Sequence, residues 1–185
     1  MAKTVCFTGH RPKDLFGYSE GARARYSGLC DEIAAICEKF MDEESVDSFI
    51  TGGAQGVDQL AFWAVERIKA KRGEGGARNV LYKPFEGQDR NWSADGMFGR
   101  GEYARMVERA DYVHVCGDGA DITGDLLNRN RAMVDSSDIL ICVWNKPGRP
   151  GEGRGGTAAC TRYALKRAQK IYVLDLVQGK SYWLN

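Results

Sequence analysis

Six short runs of β-branched and apolar residues punctuate the chain: Thr4–Thr8, Ser48–Thr51, Asn79–Lys83, Tyr112–Cys116, Ile139–Trp144 and Ile171–Leu174. Each is too short for a helix and reads as a buried strand. Between them, apolar residues return with helical spacing. Val57, Leu60, Ala61, Ala64, Val65 and Ile68 trace one helix face, and Tyr26, Leu29, Ile33, Ile36, Cys37 and Phe40 trace another. Strands alternating with amphipathic helices form right-handed β-α-β crossovers, which require a parallel sheet covered on both faces. The expectation is an α/β chain of three layers with a mostly parallel central sheet, its 185 residues making a single domain. The tail after Asp175 is expected to pack on a sheet edge through Tyr182 and Trp183.

Residues that neither strands nor helices need fall just after the expected strands. Gly9-His10-Arg11-Pro12 follows the first and Thr51-Gly52-Gly53-Ala54-Gln55-Gly56-Val57-Asp58 the second. Pro84-Phe85 follows the third, Gly117-Asp118-Gly119 the fourth, and a Gly-rich run ending in Gly155-Gly156-Thr157 the fifth. In a parallel sheet these points share the carboxyl edge, where ligands bind. The Gly52–Asp58 turn carries the sharpest chemistry: its glycines allow close backbone approach, and the helix beginning near Gly56 offers free N–H groups to a phosphate. Asp58, in the first helical turn, either complements the helix dipole or serves as a ribose-hydroxyl acceptor or acid/base group. Gly155-Gly156-Thr157 repeats the arrangement ahead of a helical stretch, Ala158–Ala168, with a hydroxyl that can cap the helix or touch phosphate. His10 lies in a loop after a strand, so a surface turn or a ligand contact is expected of it rather than a place in the core. Phe85–Glu102 is long, Gly-rich and aperiodic, and reads as a lid; Lys71–Arg78 reads as a surface turn.

Charge narrows the partners. Lys and Arg number 26 against 25 Asp and Glu, a net charge of +1, too little for a chain that grips duplex nucleic acid through its phosphates. Several arginines (Arg11, Arg129, Arg131, Arg149, Arg154) nevertheless lie in or beside Gly-containing loops, where a planar guanidinium suits phosphate or carboxylate. No run approaches the ~20 apolar residues of a membrane span, and residues 1–8 start directly with a strand-like run rather than a secretory leader. The cytoplasm is the expected location. The six cysteines contain no C-x-x-C pair and, beside His10 and His114, show no zinc-ligand spacing. They read as reduced core thiols; no metal and no cofactor is expected. Neither G-x-G-x-x-G nor a Walker A sequence is present. Gly179-Lys180-Ser181 is no P-loop, because Leu174 stands where the first glycine belongs.

Taken together, these residues resemble the YpsA-like branch of the SLOG superfamily, a Rossmann-like group related to the lonely-guy phosphoribohydrolases and to the DNA-processing protein DprA. The resemblance rests on Thr8–Pro12, Thr51–Asp58, Gln88 with Trp92, the run Arg129–Asp138, and Gly155-Gly156-Thr157, and it spans residues 4 to about 175. It implies two Gly-rich loops facing each other across a crevice that takes a nucleotide-derived small molecule. The ligand-contacting set is then Gly9, His10, Arg11, Pro12, Gly52, Gly53, Ala54, Gln55, Gly56, Asp58, Phe85, Gln88, Arg129, Asn130, Gly155, Gly156 and Thr157. A homodimer is the expected assembly.

Activity stays open at this point. Lonely-guy enzymes carry a glutamate soon after the second Gly-rich turn; here the helix reads Thr157-Ala158-Ala159-Cys160-Thr161, without a carboxylate. One expectation is a sensor, sequestering or regulatory protein. Another is an N-glycosidic hydrolase acting on nucleotides with Asp58 as its candidate catalytic carboxylate, Asp118 and Asp135 being the other acids in reach of the loops. A third, suggested by the DprA relationship, is binding of single-stranded DNA with Phe85 and Trp92 stacking on bases.

Overall fold

The computed structural model describes residues 2–73 and 75–185. The chain runs β1 (Lys3–Gly9), α1 (Arg23–Glu44), β2 (Val46–Thr51), α2 (Val57–Arg72), β3 (Arg78–Lys83), α3 (Arg100–Arg109), β4 (Tyr112–Val115), α4 (Ile122–Asp135), β5 (Ile139–Trp144), α5 (Gly156–Lys166), β6 (Lys170–Asp175) and β7 (Lys180–Trp183). All seven strands form one sheet in the order β4-β3-β2-β1-β5-β6-β7, parallel except for the β6–β7 pair. The fold is the expected Rossmann-like three-layer architecture.

Side-chain alternation along the strands assigns the layers. Val5 and Phe7 of β1, with Phe49, Ile139, Ile141 and Val143, meet the α1 and α2 stripe residues Tyr26, Ile33, Phe40, Val57, Leu60 and Val65. Cys6, Ile50, Leu140 and Cys142 point the other way, onto Met133 and Val134 of α4 and Ala158, Cys160 and Ala164 of α5. A smaller cluster of Phe62, Leu81, Tyr103 and Met106 fastens α3 to α2. Helix ends follow local chemistry: α1 stops at Ser45, which takes the left-handed conformation with φ 60° and returns its N–H to the Phe40 carbonyl. Lys69, Lys71 and Arg72 complement the dipole in the last turn of α2. Glu74, in the expected Lys71–Arg78 turn, lies outside the described residues.

One stretch departs from the sequence expectations, and the tail meets them by packing on the sheet edge. Helix α3 begins at Arg100, inside the segment read as a loop as far as Glu102, because only Tyr103 and Met106 of that helix are buried and so short a stripe gives little periodicity. The tail folds into β7, antiparallel to β6, with Trp183 stacked on Phe40 at 5.3 Å. Among the described residues, no helix is long and apolar enough to cross a membrane.

For function, the decisive feature is where the strand order turns. After β1 the chain builds outward through β2, β3 and β4, then returns to the opposite side of β1 as β5, with Gly9 opposite Val143 in the register. The loops leaving β1 and β5 therefore diverge to opposite sides and leave a crevice at the carboxyl edge.

Candidate functional site

A cavity of about 330 Å³ occupies that crevice. The β1 loop supplies Gly9, His10, Arg11, Lys13 and Asp14; the β2–α2 turn supplies only Ala54 and Asp58. Thr123, Leu126, Leu127, Arg129 and Asn130 come from α4, and Lys146, Arg154 and the residues Gly155–Ala158 from the β5–α5 connection. Ten expected contact residues line it: Gly9, His10, Arg11, Ala54, Asp58, Arg129, Asn130, Gly155, Gly156 and Thr157. Pro12, Gly52, Gly53, Gln55, Gly56, Phe85 and Gln88 are not in its wall.

The Gly52–Asp58 turn faces protein rather than space. Arg129 reaches from α4 across the sheet edge, donating from Nη1 to the Gly52 carbonyl and lying 3.5 Å from Asp58 Oδ2. Asp58 Oδ2 also accepts from the Ala54 N–H at 3.3 Å. A Cβ on Gly53 would stand 2.8 Å from Leu81 and 2.9 Å from Tyr103, and Gln88 bridges Tyr103 Oη at 2.6 Å to the Gly52 carbonyl at 3.4 Å. Gln55 donates to the Phe98 carbonyl at 2.8 Å. At Gly56, with φ +95°, an added Cβ would meet the His10 carbonyl at 2.5 Å, and that same carbonyl accepts the Val57 N–H at 3.3 Å. The N-terminus of α2 is thus closed by the β1 loop. The glycines of that turn accommodate protein neighbours, and of its residues Ala54 and Asp58 border the cavity.

The second turn is open. Gly155 takes φ +115° with nothing within 4 Å of where a Cβ would lie, and the nearest atom to one on Gly156 is Asn130 Nδ2 at 3.9 Å. No side chain caps α5, so first-turn N–H groups that lack intrahelical partners border the cavity. The Thr157 hydroxyl does not cap the helix; it donates to the Gly9 carbonyl at 2.8 Å and ties this turn to the β1 loop. Arg11, Lys13 and Arg154 add positive charge without an ion-pair partner among the described residues. Lys146 stands 4.0 Å from Asp14.

Of the buried titratable groups that border the cavity, two have shifted pKa values. Burial pushes the Asp58 carboxyl above the usual carboxylate range, outweighing the Arg129 guanidinium and the Ala54 N–H that pull it down. Of the two places expected for His10, the surface turn is corrected: it lines the cavity but is 5% exposed and packs against Trp144 with ring centroids 5.2 Å apart. Burial, reinforced by Lys146, lowers its pKa to about 4, so the ring is neutral at physiological pH. The aromatic partner that draws it inward lies 134 positions away in sequence, beyond any local signal. His10 Nε2 and Arg129 Nε are both buried without a hydrogen-bond partner among the described residues.

Other sequence candidates lie away from this centre. Asp118 holds its own turn by accepting from the Ala120 N–H at 2.9 Å, and Asp135 accepts from Tyr163 Oη and pairs with Arg167. Neither lines the cavity; Asp14, which the sequence reading passed over, does. Lys13, Thr123 and Lys146 were also passed over. Lys13 and Asp14 directly follow the Gly9–Pro12 motif, whereas Lys146 and Thr123 carry no local signal and reach the site through topology alone. The Phe85–Glu102 segment contributes nothing to the cavity wall: Phe85 is 6% exposed, Phe98 is buried, and Trp92 lies edge-on to Tyr103 at 5.3 Å. Of the segment expected as a lid, Trp92 packs on Tyr103 of α3 and Phe98 on Tyr26 of α1, while Asn91 and residues 93–96 are exposed. Among the described residues no group of three or more His, Cys, Asp or Glu side chains is placed to hold a metal ion. The buried thiols of Cys142 and Cys160 are pushed up by desolvation to about 12 and about 11.

Comparison with known proteins gives one family. The family model YpsA, described as the YspA SLOG family, matches residues 5–178. The chain is 33% identical over 149 residues to the uncharacterized SPbeta prophage-derived protein YoqJ of Bacillus subtilis (strain 168), covering 75% of this chain and 81% of that one. It is 30% identical over 111 residues to UPF0398 protein ABC2016 of Shouchella clausii (strain KSM-K16), covering 58% of this chain and 57% of that one.

Proposed function

The chain belongs to the YspA SLOG family, and from that premise we propose that its cavity binds a nucleotide-derived small molecule, in the role of a sensor, sequestering or regulatory protein. One observation carries this: the uncapped N-terminus of α5 opens into the cavity beside Arg11, Lys13 and Arg154, while the Asp58 carboxylate reaches the same cavity from the opposite helix layer. Helix N-termini and unpaired guanidinium groups attract phosphate. A buried carboxylate held by Arg129 accepts hydroxyl groups of a ribose or an amino group of a base. At about 330 Å³ the cavity is at the small end of ligand pockets, matching one nucleoside monophosphate unit.

Thermal shift against AMP, ADP-ribose and nicotinamide mononucleotide tests this. A ligand at 100 times its dissociation constant stabilises the folded chain by about 2.7 kcal/mol, so millimolar AMP is expected to raise the melting temperature. No shift with any of the three would overturn the proposal.

A second reading, N-glycosidic hydrolysis, is favoured by the raised pKa of Asp58, since a carboxyl that keeps its proton to higher pH suits general-acid chemistry. Chromatography of free adenine or nicotinamide released from the same compounds checks it. Release that survives Asp58→Asn unchanged removes Asp58 from that role.

A further inference from the structure

Beyond the cavity, between α4 and α5, lies a second depression of about 150 Å³, with Arg131, Arg162 and Lys166 around it and no carboxylate in its lining. It is continuous in the fold with the first: Leu127 and Asn130 belong to both walls, and Ala159 of its lining directly follows Ala158 of the other. Asp135, whose partner Tyr163 lines the depression, is already taken, accepting from Tyr163 Oη at 3.0 Å and pairing with Arg167 at 3.1 Å. Arg131 lies over the Tyr163 ring, 5.9 Å from its centroid, so the tyrosine that occupies the acid also seats the arginine. Arg162 is fixed too: its Nη1 donates to the Gly151 and Gly153 carbonyls at 2.6 and 2.8 Å, bracing the loop that carries Arg154. Its remaining N–H donors are left for another acceptor.

The opposite helix layer treats its cations differently. There Arg67 pairs with Asp31, Lys71 with Glu38, Arg72 with Asp42, Lys69 with Asp111 and Arg109 with Glu66. In a chain whose net charge is only +1, Arg131, Arg162 and Lys166, without an ion-pair partner among the described residues, are a local arrangement and not a general excess. Cations clustered without acids repel one another, a cost that a bound polyanion removes.

We infer that the α4–α5 cleft takes a second phosphate of the same ligand, and that the ligand is therefore a 5′-phosphorylated dinucleotide joined by a phosphodiester, with its terminal phosphate at the α5 N-terminus. The inference rests on the proposed nucleotide-binding cavity. Gly156, at the helix N-terminus, and Arg162, in the lining of the cleft, are separated by about 9 Å along the helix axis at 1.5 Å per residue. That separation exceeds the spacing within a pyrophosphate and suits phosphates one nucleoside apart, and Asn130 belongs to both walls.

Isothermal titration of the full chain with AMP, with 5′-phosphorylated diadenylate and with ADP-ribose tests it, alongside the double variant Arg131→Ala/Lys166→Ala. Both side chains are exposed, so the variant folds. The dinucleotide is expected to bind the unmodified protein about tenfold or more tighter than AMP, the worth of one charge-assisted hydrogen bond. The variant should lose that advantage while its affinity for AMP stays unchanged. Equal affinities for AMP and the dinucleotide, or an advantage that survives in the variant, would overturn the second phosphate site and leave the cavity intact. An advantage seen with ADP-ribose but not with the dinucleotide would overturn the phosphodiester assignment. Binding of none of the three would remove the cavity proposal and this inference with it.

Discussion

The two Gly-rich strand-to-helix turns look alike in sequence and differ in what surrounds them. At Gly52–Asp58 the space a side chain would fill is occupied by Arg129, Leu81, Tyr103 and the His10 carbonyl; at Gly155–Thr157 nothing protein-derived approaches Gly155 or crowds Gly156. Both turns need glycine, the first for close packing and positive φ, the second for conformation alone at Gly155. Glycine after a strand thus records close approach without saying whether the approaching group is a ligand or the protein itself. The difference also divides labour: the closed turn holds Asp58 and Arg129 in place, and the open one leaves helix amides and cations bordering the cavity.

The most damaging way to break the closed turn is to remove its cross-sheet arginine. Arg129→Ala leaves the Asp58 carboxylate buried without its cation and is expected to cost about 3–5 kcal/mol, measured by urea unfolding. Arg129→Ala combined with Asp58→Asn should recover a large part of that loss, because the buried charge goes with it. If the single and double variants were equally unstable, the pair would not be what holds the turn.

Next in size comes the glycine comparison itself. Gly56→Ala must adopt φ near +95° and push its Cβ to 2.5 Å from a backbone oxygen, an expected loss of about 3 kcal/mol from strain and overpacking together. That corresponds to a fall in melting temperature of roughly 6–12 °C. Gly156→Ala, whose nearest neighbour is 3.9 Å away, should change stability by no more than about 0.5 kcal/mol. Similar losses in the two variants would erase the distinction between a closed and an open turn.

How much of this was legible in the sequence depends on how local each feature is. The helix stripes Tyr26–Phe40 and Val57–Ile68 are buried in full, because amphipathic periodicity is written within a single element. Six strands, the parallel sheet and its carboxyl-edge loops followed from the alternation. Whether a loop glycine faces a ligand depends on side chains from elsewhere, and Arg129 lies 77 positions from the carbonyl it binds. The same applies to His10, buried by Trp144, and to Lys146, brought to the cavity by the return of the chain beside β1. Nothing within a few residues of any of these announces its partner.

The β1 loop links the two turns, giving the His10 carbonyl to one and the Gly9 carbonyl to the other, and the lowered pKa of its buried histidine predicts a pH dependence of stability. Folding lowers the His10 pKa from the ordinary 6.5 to about 4, so the unfolded chain binds the proton more readily than the folded one. The contribution of this group is fully present above about pH 6.5 and is lost as pH falls toward 4. His10→Gln should flatten that part of a stability-versus-pH curve taken by urea titration. An unchanged slope would mean that another group carries it.

Arg154→Ala has the smallest expected effect on stability and bears most directly on the open turn. Arg154 is exposed, lines the cavity and has no ion-pair partner among the described residues, so its removal should leave the urea midpoint within experimental error. Affinity for AMP should nonetheless fall about tenfold, since a charge-assisted hydrogen bond to phosphate contributes about 1.5–3 kcal/mol. A parallel Asp58→Asn variant should weaken adenosine and AMP alike, because that carboxylate is assigned to the nucleoside and not to the phosphate. If Arg154→Ala weakened adenosine as much as AMP, the phosphate would not be at the α5 N-terminus, and the open turn would owe its emptiness to something other than an anion.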